Sequence, residues 1–81
     1  MPALEAAHYQ ETRDRLINDP IVQDMAVTIT ADMLPDITHD SGSPRFEFML
    51  PANDEYRKRG GTDGGHIGAI AEAILMIVKA R

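Results

Sequence analysis

Between Ile67 and Val78 the chain reads IGAIAEAILMIV, a run with one charge, Glu72. The run is too short to span a bilayer, and Glu72 interrupts it. At helical spacing Ile67, Ile70, Ala71, Ile74, Ile77 and Val78 form one broad apolar face. Gly65, Ala69, Ala73 and Ala80 place small residues on the other side. A helix apolar nearly all round has to be buried on most of its sides. A helix over 64–80 therefore needs neighbours, and the chain has few to offer. It has 81 residues, of which Leu, Ile, Val and Phe supply only 18, and it has no cysteine. So small a domain is marginal alone, and neither a disulfide nor a thiolate metal site can staple it. Self-association is the remaining route, so a homo-oligomer is expected. Its interface is expected to use Ile67, Ile70, Ala71, Ala73, Ile74, Ile77 and Val78.

The expected fold is mainly α: a single domain, 1–81, of about three helices (3–17, 20–34 and 64–80) with a short extended segment at 45–50. The first helix follows from its Ala, Leu, Glu and Arg content, with Glu11 and Arg15 as an i, i+4 pair. Asp19 is a good N-cap for the second, and Pro20 suits its first position. Two periods compete within 20–34. Ile21, Met25, Ile29 and Met33 repeat every four residues, whereas Val27-Thr28-Ile29-Thr30 is β-branched throughout. The alternative is therefore α+β, with strands at 25–30 and 45–50. In either case Pro35 is expected to end the element. Residues 53–59 suit a short helix capped by Asn53, with Gly60 as its C-terminal stop, and Thr62 or Asp63 offers a cap for the last helix.

The net charge is −5, which argues against direct nucleic-acid binding. The charge is unevenly placed: residues 1–40 hold eight acids and two bases, residues 41–81 five acids and six bases. No basic start precedes an apolar run at the N-terminus, so a secretory signal is not expected. No membrane partner and a cytoplasmic location are expected.

The basic, glycine-rich stretch EYRKRGGTDGGHI, residues 55–67, is the candidate ligand site. Glycines let backbone amides turn toward a ligand, and a helix N-terminus carries unpaired N–H groups and a partial positive charge. Tyr56, Arg57, Lys58, Arg59, Gly60, Gly61, Thr62, Gly64, Gly65 and His66 are accordingly expected to hold an anionic, phosphate-containing small molecule. Residues 60–67 share the glycine spacing of a P-loop, but His66 and Ile67 stand where its Lys and Ser or Thr belong, which excludes an NTPase. The run from Phe46 to Leu75 resembles the acetyl-CoA-binding segment of the GNAT acetyltransferases, through Arg57-x-x-Gly60-x-Thr62. Thr62 departs from the Gly or Ala of that motif and the chain is too short for that fold, so the family is not assigned.

Asp36, His39 and Asp40, with His8 or His66, are the only candidate metal cluster, and no fixed geometry supports it. Ser41 and Ser43 lie near His39 and Asp40, but a triad needs spatial geometry rather than adjacency. No enzyme activity, cofactor or metal is expected. The leading functional expectation is a homo-oligomeric binding protein that sequesters or senses an anionic ligand. The alternative is an acidic interaction module, an inhibitor or adaptor, that docks a basic protein partner through residues 1–40, including Glu5, Glu11, Asp14, Asp24 and Asp32.

Overall fold

A computed structural model describes residues 2–63 and 68–81 of the chain, with side chains described from residue 8 onward. The described residues are mainly α-helical. The helices are α1 (Pro2–Ile17), α2 (Pro20–Val27), α3 (Leu34–Ile37), α4 (Phe46–Lys58) and α5 (Ala69–Lys79), with a 3₁₀ turn at Ala31–Met33 before α3.

The apolar run becomes α5, which lies at the centre and packs against α1, α2 and α4. Ala69, Ile70, Ala71, Ala73, Ile74, Leu75 and Val78 are all buried within the one chain. This burial is reached without a second subunit. Ile70, Ala71, Ala73, Ile74 and Val78 are covered by the protomer's own helices, Ile77 is half-buried, and Ile67 lies outside the described residues. The physical reason is the alanines. Ala26, Ala52, Ala69, Ala71 and Ala73 all sit in the core, and small side chains let helix axes approach closely, so three short helices suffice to surround a fourth. Leu16, Val22, Met25 and Tyr56 fill the remaining space.

Glu72 does not break this packing, because α1 answers it. Tyr9 donates to one Glu72 oxygen at 2.6 Å and Arg13 Nη1 to the other at 2.9 Å. Burial, and then the carboxylate, pushes the Tyr9 phenol pKa up. The i, i+4 pairing of Glu11 with Arg15 is not made; Arg15 instead forks onto Asp63, with both contacts at 2.9 Å.

Asp19 caps α2 as expected, accepting from the Ile21 and Val22 amides at 2.8 and 3.4 Å. The single helix expected over 20–34 is corrected. α2 stops at Val27, and the Thr28 hydroxyl donates to the Met25 carbonyl at 2.8 Å. The β-branched run ends the helix without starting a strand. Pro35 does not end an element either. It occupies the first turn of α3, where its missing N–H costs nothing.

The extended segment at 45–50 is also corrected, and with it the strand alternative. Residues 46–50 are the first turns of α4, which runs through Pro51 to Lys58. Pro51 has no N–H, so the Glu47 carbonyl lacks its usual donor four residues on. Packing of Met49 and Ala52 on the core offsets that loss. Between α3 and α4 the chain folds back: the His39 amide donates to Ser43 and the Arg45 amide to Ile37, both at 2.8 Å. The resulting Thr38–Pro44 bridge is the only β pairing among the described residues.

Candidate functional site

The glycine-rich stretch is first of all a helix stop. Gly60 has φ +92°. Its amide donates to the Arg57 carbonyl at 3.0 Å, and the Gly61 amide donates to the Tyr56 carbonyl at 2.9 Å. This pair of bonds is a Schellman motif closing α4. Both amides are thereby spent, at a helix end whose partial charge is negative. A Cβ at Gly61 would overlap the Tyr56 ring, so this glycine serves close packing.

Tyr56 is almost fully buried. Its hydroxyl donates to Asp19 at 3.2 Å and accepts the Asp63 amide at 3.0 Å. Burial first, with the Asp19 carboxylate adding to it, raises its pKa. Tyr56 is thus a bolt between the α2 cap and the loop after α4, and no ring face is open for stacking. Arg59 is paired twice, with Glu55 and with Asp24, both at 2.7 Å. The guanidinium holds the Glu55 carboxyl below its ordinary range, and Arg15 does the same for Asp63.

Of the residues expected to hold an anion, Arg57 and Lys58 are exposed, and no ion pair engages either among the described residues. Thr62 is exposed as well. Gly64, Gly65 and His66 lie outside the described residues. The loop was expected to feed a helix N-terminus directly, but α5 begins at Ala69 with Gly68 as its cap. The Asp63 carboxylate faces Arg15 instead of capping it.

A different surface is built from residues 27–43. No residue from Val27 to Ser43 is buried. The segment carries Asp32, Asp36 and Asp40, no lysine and no arginine. Val27 is 68% exposed, and Leu34 and Ile37 are half-buried beside the carboxylates. Pro35, Asp36 and Ile37 form one wall of a shallow cleft of about 360 Å³, and Arg45, Glu47 and Phe48 the other. The Arg45 guanidinium is turned inward, with Nε on the Thr38 carbonyl at 3.0 Å. By contrast, two of the acids in the earlier part of the chain are neutralised: Asp14 by Arg13 and Asp24 by Arg59. Glu11 is exposed, and the Glu5 side chain lies outside the described residues.

Spreading the acidic docking surface over all of residues 1–40 missed this concentration. The usable signal was the absence of any cation between Arg15 and Arg45. Among the described residues no three His, Asp or Glu side chains converge as a metal site, Asp36, His39 and Asp40 included. No described helix is long and apolar enough to cross a membrane.

No protein-family model matches the chain, and no solved structure matches it. The Gene 80 protein of Mycobacterium phage L5 is 47% identical over 79 residues, covering 94% of this chain and 86% of that protein.

Proposed function

The chain belongs to the family of the Mycobacterium phage L5 Gene 80 protein, and from that premise we propose that it is a small, non-enzymatic protein-interaction module docking a basic partner surface through residues 27–43. The observation that carries this reading is the composition of that segment. Seventeen residues with three carboxylates, no cation and no buried side chain meet the core only through the half-buried Ile29 and Leu34. Leu34 and Ile37 supply apolar contact at the centre, and Asp32, Asp36 and Asp40 supply charge at the rim. Apolar centres give affinity, and rim charges give steering and partner choice.

The test is a triple variant, Asp32→Asn with Asp36→Asn and Asp40→Asn. A partner is first captured on the wild-type chain and identified, and its affinity is then measured with purified proteins by titration calorimetry. The expected result is a loss of at least about tenfold in affinity and a shallower salt dependence, with helical content retained. Equal affinity for the triple variant overturns the proposal.

The reading as a store or sensor for an anionic small molecule is the weaker one, because Arg57 and Lys58 are its only described unpaired cations. It gains support if ATP or inorganic phosphate binds the wild type and not an Arg57→Ala, Lys58→Ala variant.

A further inference from the structure

The outer face of α4 is bare in a way its own protomer does not explain. Phe46, Glu47, Leu50, Pro51, Asp54, Arg57 and Lys58 are all exposed. At 3.6 residues per turn they fall within about 140° of arc. Ala52, Asn53 and Tyr56, on the opposite side, are buried. Phe46 and Leu50 are 55% and 42% exposed, one turn apart on this arc. The charges are segregated along it: Glu47 in the first turn, Arg57 and Lys58 in the last. That order suits the helix's own dipole. The dipole accounts for the charges but not for a phenylalanine and a leucine left uncovered on the same arc.

We propose that this face is a self-association surface, on which α4 of a second copy packs antiparallel about a two-fold axis. Such an axis near the middle of the helix sets Glu47 against Lys58 of the second copy, on the same flank of the face, and by symmetry does so twice. It lays Phe46 along the aliphatic stem of Arg57 of the second copy and brings both Leu50 side chains close to the axis. Asp54 sits beside the axis, one turn from Lys58 of its own helix. A parallel arrangement would set acid on acid and base on base, so the face complements itself in one direction only. A 13-residue helix is about 20 Å long. The contact therefore belongs to the small, rapidly reversible class, below about 1,200 Å². The surface differs from residues 27–43, so the failure of either proposal leaves the other standing.

The test is sedimentation velocity over a concentration series, with wild type, Glu47→Arg, Lys58→Glu and a one-to-one mixture of the two variants. The wild type is expected to dimerise reversibly, less so at high salt. Each reversal alone weakens the dimer at least tenfold, because both symmetric contacts become repulsive. In the mixture both contacts join opposite charges again, and a heterodimer returns. Leu50→Gln, which touches no charge pair, is expected to weaken the wild-type dimer as well. A wild type that stays monomeric at every concentration overturns the proposal. So does a stoichiometry other than two, or a mixture that associates no more than its components while circular dichroism shows both variants folded.

Discussion

Gly60 and Gly61 are adjacent, yet different constraints require them. At Gly60 the constraint is backbone conformation, φ +92° with open space around the Cα. At Gly61 it is volume, because the Tyr56 ring occupies the place of a Cβ. Gly60→Ala is therefore expected to cost about 1–2 kcal/mol, and Gly60→Asn less, since asparagine tolerates the left-handed region. Gly61 is expected to reject Ala and Asn alike, at about 1–3 kcal/mol or more. Thermal melts of the four variants separate the two causes. Asp19 is also doubly used, as the α2 cap and as acceptor for Tyr56. Asp19→Ala should cost about 1–2 kcal/mol. Tyr56→Phe should cost about 1 kcal/mol. The double variant should cost less than their sum, because one hydrogen bond is counted in both. Asp19 as a cap and Gly60 as a stop were legible in the sequence because both are local backbone rules. The occupation of Tyr56 was not, since Asp19 lies 37 positions away.

At the scale of elements, proline misled twice. Pro35 starts a helix where it was expected to end one, and Pro51 sits inside one helix where an extended segment at 45–50 and a separate short helix at 53–59 were expected. Local rules make proline a breaker, and packing decides whether the break is taken. Since Pro51 withholds a donor from Glu47, Pro51→Ala is expected to stabilise the fold by about 1–3 kcal/mol, read as a raised denaturation midpoint. Its failure to stabilise would mean that the Glu47 carbonyl is satisfied elsewhere. The bond between α1 and α5 is polar as well as apolar. Glu72→Ala leaves the Tyr9 hydroxyl and the Arg13 guanidinium without their shared acceptor. A loss of about 1–3 kcal/mol is expected. The burial of α5 was legible from periodicity alone. What covers it was not, because alanine-rich stretches carry too weak a pattern to show which helix lies against which.

For the whole molecule, the acidic balance sets the response to pH. Asp63 is held below its ordinary range chiefly by Arg15, Glu55 by Arg59, and Asp32 by the Thr30 hydroxyl. Each of these carboxyls releases its proton more readily in the folded than in the unfolded chain. The stability they contribute is complete above the unfolded-chain values, near about 4. It is withdrawn as pH falls through the lower folded values. Denaturant midpoints should stay level from neutral pH down to about 5 and then decline. Arg15→Gln should flatten that decline. A decline of the same steepness in the variant would assign it to other groups. The division of labour between a core centred on α5 and surfaces on 27–43 and α4 was only half visible in the sequence. Hydrophobic pattern marks the core, whereas which charges are already paired depends on the folded chain.

The position of α5 also sets an order of events during synthesis. The helix that fills the centre is the last of the five to leave the ribosome. Until residues 69–79 emerge, Leu16, Val22 and Tyr56 have nothing to bury against, and α1, α2 and α4 remain separate short helices of marginal persistence. The core therefore closes only once residues 69–79 have emerged. Before that point the apolar faces of α1, α2 and α4 lack the helix that joins them in the finished core.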